Sequence, residues 1–203
     1  PHNHAAGMDS FTDDGRRKPD LMAVGEGILS AALTANGTET NAVGVSGANG
    51  ATSPATAHAA AAAALIRQYF TEGWYPSGKK QKKQKRKPSG ALIKAMLLNA
   101  TVPTDGVLGY PVSRNGWGRL KLNESLHFDG DKLFLRVHDV RHVVGLGPSF
   151  TYHYIRAGRH FPFPIRKNAK SMKVTLVFND PPGMPGQVAV VNKLDIEVKG
   201  PWR

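Results

Sequence analysis

Apolar positions change their spacing along the chain, and each change predicts a different element. Residues 1–20 hold few apolar side chains and close on Lys18-Pro19-Asp20, which reads as turn-forming chain. Leu21 to Val24 and then Ile28-Leu29, interrupted by Gly25 and Gly27, predict short buried strand segments broken by glycine. Residues 34–51 are small and polar and read as a loop. From Pro54 to Phe70 there is no glycine. An alanine run over 59–64 leads into Leu65, Ile66, Tyr69 and Phe70, a helix by propensity whose small-residue half suits a crowded core. Pro54 suits the first helical position and Ser53 before it is a capping type. Residues 71–88 read as a loop. Ser89 then caps a second helix over about 90–100, with Leu92, Ile93, Met96 and Leu97 on one face. The chain turns at Gly116-Trp117-Gly118-Arg119, where Trp117 is expected to anchor the core.

After Leu126 the spacing becomes strand-like. Lys132 to Val144 alternates loosely, Met172 to Phe178 reads as a strand, and Val188–Val191 and Leu194–Val198 as further strands. Pro181, Pro182 and Pro185 stiffen the loop between them. The expected organisation is an α/β segment over 1–127 and an all-β segment over 128–203. No internal repeat is present.

Composition narrows the chemistry. The 203 residues are 40% hydrophobic, enough to bury a core. They contain no cysteine, which excludes disulfides, thiolate metal sites and a cysteine nucleophile. No apolar run reaches the ~18 residues that a bilayer span needs. The net charge is +12, but Lys79, Lys80, Lys82, Lys83, Lys85, Arg86 and Lys87 carry seven of those charges. The protein is therefore modestly basic with one concentrated run. The plain reading of that run is a solvated surface insertion. The sharper one is a polyanion-binding or nuclear-localisation patch, and no aromatic residue interrupts the run to stack on bases.

Ala51-Thr52-Ser53-Pro54-Ala55-Thr56-Ala57-His58 is the stretch that carries chemistry. A serine at a helix N-terminus sits among open N–H donors and a partial positive charge. A tetrahedral oxyanion is stabilised by such donors. On the local pattern alone, Ser53 reads first as a plain helix cap, since capping serines far outnumber nucleophiles.

The wider text resembles the subtilisin-like serine proteases. Their nucleophile segment reads Gly-Thr-Ser-Met-Ala-Thr-Pro-His, matched here by Thr52, Ser53, Ala55, Thr56 and His58 with the alanine helix behind them. Asp14-Gly15-Arg16-Arg17-Lys18-Pro19-Asp20-Leu21 is similar to the family's Asp-Gly-Arg-Ile-Lys-Pro-Asp-Val, and Ala23-Val24-Gly25 to its Ala-Pro-Gly. Ile28-Leu29-Ser30-Ala31, Pro88-Ser89 with Leu92, Lys94, Ala95 and Asn99, and Asn115-Gly116-Trp117-Gly118-Arg119 with Leu122 continue the match in order over residues 10–126. Lys173 to Phe178, Asp180-Pro181-Pro182-Gly183 and Val191-Asn192-Lys193-Leu194-Asp195 resemble the β-sandwich appended to one subgroup of the family.

The resemblance implies an incomplete subtilisin-like parallel sheet with helices, then the start of a jelly-roll-like sandwich. It also implies a serine endopeptidase acting on proteins or peptides through an acyl-enzyme. Ser53 would be the nucleophile and Thr52 a support of the oxyanion hole. It favours a secreted or secretory-pathway location and allows structural calcium, for which no ligand set is placed. No other cofactor is implied.

In subtilisins the Asp and His of the triad precede the Ser. Only 52 residues precede Ser53, and neither motif, nor the oxyanion-hole Asn, stands among them. His2-Asn3-His4 lacks the Gly and Thr of the His motif, and His58 holds a position outside the triad. With Pro1 at its start, the sequence is expected to be a fragment that is inactive alone. Ala51 replaces a family glycine, Pro54 a Met, Ala57 a Pro and Val24 a Pro, while Gly7 to Phe11 stand in place of Ser-Ser-Arg-Gly-Pro. Those changes leave an alternative, a catalytically degenerate homologue serving as a binding or structural module. His138 and His142 share a strand face without a third ligand. Asn36-Gly37-Thr38, Asn99-Ala100-Thr101 and Asn123-Glu124-Ser125 fit the N-glycosylation triplet.

Overall fold

The computed structural model describes residues 18–32, 42–46, 50–104, 111–112, 114–139, 141, 172–184, 191–192, 194 and 196, with backbone alone at 32 and 42–46. Regular structure begins with a hairpin. Strand β1 (Ile28–Ala32) pairs antiparallel with β2 (Ala42–Ser46), Ile28 facing Ser46 and Ala32 facing Ala42. The loop expected over 34–51 therefore contains a strand. Val43 and Val45, two apart, are the strand-forming pair that gave the signal. β1 is not the buried strand expected either. Leu29 is 72% exposed, because among the described residues no layer covers that face of the hairpin.

Helix α1 (Thr52–Thr71) follows, two residues earlier than the proline rule places it. Its N-cap is Ala51 rather than Ser53, with φ −144° and ψ 148° and no side-chain cap bond. Pro54 thus occupies the third helical position, where a missing N–H still breaks no intrahelical bond. Three of the six alanines in the run are exposed, contrary to expectation. Only Ala62 of the six is buried. The core lies under the other half of the helix. Ile66, Tyr69 and Phe70 pack with Tyr75, Leu92, Met96 and Leu126, flanked by Trp74, Ile93, Leu97, Leu122, Leu135 and Val137.

Helix α2 (Gly90–Asn99) obeys its sequence signals. Ser89 caps it, its Oγ accepting from the Leu92 N–H at 3.0 Å, and Leu92 and Met96 face the core. Between the helices the basic segment is packed rather than loose. It carries a short 3-10 turn over Lys82–Gln84, and the Arg86 N–H donates to the Phe70 carbonyl at 3.0 Å. The Arg86 guanidinium lies 4.1 Å from the centre of the Tyr75 ring, a contact worth about 0.5–2 kcal/mol. Lys80 pairs with Glu72 at 2.8 Å and Lys79 with Asp129 at 3.0 Å, while Lys82, Lys83, Lys85 and Lys87 remain exposed.

Beyond α2, strand β3 (Thr101–Val102) pairs antiparallel with β4 (Arg119–Leu120). On its far side β4 meets Met22 in a parallel bridge, with the Met22 N–H donating to the Gly118 carbonyl and the Leu120 N–H to the Met22 carbonyl. This bridge is the parallel pairing among the described residues. The named strand pairs are antiparallel. Trp117 is 46% exposed and anchors no core. Its glycine neighbours do the packing. Gly116 at φ +54° lies against the Asp20 carbonyl and Gly118 at φ +109° against that of Val102, where a Cβ would collide.

Residues 132–139 and 172–178, expected as strands, carry no assigned ladder. Their burial still alternates with a period of two. Leu133, Leu135 and Val137 turn inward from Lys132, Phe134, Arg136 and His138, and Thr175 and Val177 turn inward from Val174, Leu176 and Phe178. The pattern is that of strands, but a strand assignment also needs a hydrogen-bonded neighbour. Both segments are fixed by side chains instead. The Val137 N–H donates to the Tyr75 hydroxyl, the Ser89 N–H to the Asp139 carboxylate, and Lys173 Nζ to the Thr101 carbonyl at 2.8 Å. The Asp180 carboxylate accepts from the N–H groups of Val191 and Asn192 and from Asn192 Nδ2, drawing together two motifs eleven residues apart. Of the expected strands over 188–191 and 194–198 only residues 191, 194 and 196 are described, and 140 and 142–144 of the run from 132 also lie outside the described residues.

Glu72 ends α1 and makes the first testable point. Hydrogen bonds from Lys80, Gln68 and Trp74 hold its carboxyl at about 2, below the ordinary 4.5. A carboxyl depressed in the fold stabilises the protein above its unfolded value. That support is lost as pH falls from about 4.5 through about 2. Lys80→Met is expected to raise the Glu72 midpoint toward its ordinary value. An NMR titration of the Glu72 side chain reads this directly.

Candidate active site

Ser53 stands exposed in the first turn of α1, and that turn is held from below by residues 22–25. The Ala51 N–H donates to the Gly25 carbonyl at 2.9 Å. His58, one turn further on, places Nδ1 2.9 Å from the Val24 carbonyl. Gly25 is where the two chains press together. A Cβ built there would collide with the Ala51 carbonyl and lie 3.3 Å from the Ala55 methyl. Met22, three residues earlier, is bonded into β4, so the support under the helix end runs back into the sheet.

Four N–H groups at a helix start have no intrahelical acceptor. Here they belong to Ala51, Thr52, Ser53 and position 54. Ala51 is satisfied by Gly25, and Pro54 has no N–H to offer. Two adjacent donors, Thr52 and Ser53, therefore remain without a partner among the described residues. No acidic residue occupies the first turn, so the positive end of the helix is not neutralised there. The Thr56 hydroxyl is spent on the Thr52 carbonyl at 2.9 Å.

The Gly→Ala exchange at 51 does not strain this turn. Ala51 is extended, and the left-handed conformation falls one residue earlier, on Gly50 at φ +74°. His58 does not serve Ser53 as a base. Five residues along a helix rotate its side chain about 140° away from Ser53. Its Nδ1 is also engaged by Val24. The apolar groove between α1 and residues 122–128 starts at Leu65, about 18 Å along the helix from Ser53, too far to take part in its chemistry. Among the described residues no group of three or more His, Asp or Glu could hold a metal ion, and His142 lies outside them.

The profile of the subtilase family matches residues 4–118. The chain belongs to the subtilase family. Among curated proteins it is 33% identical to the serine protease/ABC transporter B family protein tagB of Dictyostelium discoideum, an alignment covering 91% of this chain and 12% of that protein. It is 28% identical to tagD and 29% to tagA of the same description and organism, again over 91% of this chain. The subtilase chain thus spans about an eighth of the length of these relatives, 12%, 12% and 11%. No solved structure matches it.

Two of the matching sequence motifs meet in space. Ala23-Val24-Gly25, quoted above only as a matching triplet, is the platform beneath the Ser53 turn. The sequence marks Gly25 only as a strand breaker and as the glycine resembling the family's Ala-Pro-Gly, and its close packing against the helix end is what the fold adds. Asp20 of the Lys-Pro-Asp motif lies near α2. Burial opposes its ionisation, but Lys18 at 2.7 Å and Lys94 at 3.3 Å outweigh it and hold the carboxyl below its usual range. Gly25→Ala is expected to lift the helix end off its platform and to cost about 1–3 kcal/mol, the range for an overpacked contact. Chemical denaturation measures the loss, and Gly27→Ala, with open space around its Cβ, gives the backbone effect of a glycine at φ +63° alone.

Proposed function

We propose that this subtilase is part of a serine endopeptidase in which Ser53 forms the acyl-enzyme. Support comes from the pair of open donors, the Thr52 and Ser53 N–H groups, at an unneutralised helix end in a family of serine proteases. In this reading Ser53 Oγ attacks the scissile carbonyl. The carbonyl oxygen becomes an oxyanion beside the two donors, and the Ser proton passes to a general-base His other than His58. The Asp and His partners belong to segments that precede the Ser in subtilisins. The activity is thus proposed for a chain that carries them, and the 203 residues alone are expected to be inactive. Substrates are proteins or peptides. Residues 128–203 are read as the start of an all-β, jelly-roll-like domain, supported by the two-residue alternation at 132–139 and 172–178.

The degenerate-homologue reading loses one of its supports, since Ala51 sits in a conformation open to any residue. The two readings separate by labelling the long chain with a fluorophosphonate probe. The endopeptidase reading expects label on the wild type and none on Ser53→Ala. Equal labelling of both would remove Ser53 from the role, and no labelling of either would favour the non-catalytic module.

A further inference from the structure

The three N-glycosylation triplets are chemically alike in sequence, and the fold separates two of them. Asn36 lies outside the described residues. Asn99 is the last residue of α2 and is half-buried. Its Nδ2, the atom a glycan would take, donates to Thr175 Oγ1 at 3.0 Å. Its carbonyl lies within reach of Lys173 Nζ at 3.5 Å. Asn99 is therefore one of the attachments that fix residues 172–184 to the helix end. The triplet hydroxyls do not separate the two sites, since Thr101 is 6% exposed and Ser125, of the Asn123 triplet, 1%; the asparagines do.

Asn123 is placed the opposite way. It sits in a 3-10 turn, Leu122–Glu124, whose flanks turn inward. Leu122 borders the core, Ser125 is 1% exposed and Leu126 is 8% exposed. Asn123 itself is exposed, and its amide makes no hydrogen bond among the described residues. The Lys121–Glu124 pair at 2.8 Å closes the turn beside it without using the asparagine. A glycan at this position would project into solvent and displace no hydrogen bond among the described residues, as a surface modification requires.

We infer that Asn123 is an N-glycosylation site of the folded protein and that Asn99 is excluded from being one. The co-reactant is a lipid-pyrophosphate-linked oligosaccharide. The bond that forms joins Asn123 Nδ2 to the anomeric carbon of the first sugar. The bond that breaks is that carbon's link to the pyrophosphate, which leaves with the lipid, and one amide proton is released. Transfer happens on nascent chain, so a glycan could be placed on Asn99 before folding. Such molecules would carry a sugar on the nitrogen that is packed against Thr175, and they would not reach the folded pool. The inference does not depend on Ser53 being active.

The test is site mapping on the long natural chain, purified as folded protein from a eukaryotic secretory host. Enzymatic release of N-glycans in heavy-oxygen water marks each occupied asparagine as heavy aspartate. The expected result is the mark at Asn123 and unmodified Asn99. Asn123→Gln should remove one mobility step on a gel with little change in the thermal midpoint, because the side chain is exposed and makes no hydrogen bond among the described residues. A mark at Asn99 in the folded pool, or no mark at Asn123, overturns the inference.

Discussion

If Ser53 is the nucleophile proposed above, Ser53→Ala in a chain that carries the Asp and His partners is expected to lower kcat on the order of 10⁶-fold, the scale that loss of the serine carries in a subtilisin. The reason is that Ser and its base act as a unit. Without Oγ there is no acyl-enzyme, and the remaining donors can only polarise a bound carbonyl. KM is expected to change little, because neither Thr52 nor Ser53 supplies a large binding surface. Residual activity near wild type would transfer the nucleophile elsewhere. The measurement is steady-state hydrolysis of a fluorogenic peptide by wild type and variant at equal folded concentration. Fold integrity is the easy part of this comparison. Ser53 is exposed, it is not the N-cap, and its hydroxyl has no partner among the described residues.

Phe70→Ala is expected to remove about 3–5 kcal/mol of stability, the range for deleting a buried aromatic ring. Against a total of roughly 5–15 kcal/mol this is the difference between a folded and a marginal protein. Phe70 is fully buried and meets Tyr69 edge-on, with ring centres 5.3 Å apart, and Tyr75 at 5.6 Å. Its carbonyl also accepts from Gly73 and Arg86, so the packed basic segment rests on the same residue. The ring cannot be replaced by collapse. Tyr69 is committed to the His127 carbonyl at 2.6 Å, and burial has pushed its hydroxyl up to about 12, which keeps it the donor of that bond. Leu65→Ala supplies the contrast. Leu65 is 52% exposed, and its truncation is expected to stay within about 0.5 kcal/mol. Urea unfolding of the two variants reads both.

Much of this was legible in the residues. The apolar set Leu92, Met96 and the Ser89 cap specified α2 to within a residue, because both signals are local. The nucleophile motif placed Ser53 at the start of a helix for the same reason. What escaped depended on partners distant in sequence. The N-cap fell on Ala51 because its N–H found Gly25, a contact across 26 residues that no cap preference encodes. Trp117 is exposed because the glycines on either side allow the backbone, not the ring, to be packed. The runs 132–139 and 172–178 kept their alternation yet gained no ladder. Alternation reports which side faces the core, not whether a neighbouring strand is there. The basic run reads as a solvated surface insertion, and its six lysines are exposed; composition does not reveal that Arg86 alone turns inward onto Tyr75.

Helix α1 has its chemistry at one end and its hydrophobic core at the other, with a partly exposed alanine stretch between them. Its two ends are tied to different things, the first turn to the Met22–Gly25 chain and the last turns to α2 and Tyr75. The turn that carries Ser53 and the core that holds the helix are therefore reached by different substitutions, Gly25→Ala acting on the first turn and Phe70→Ala on the last.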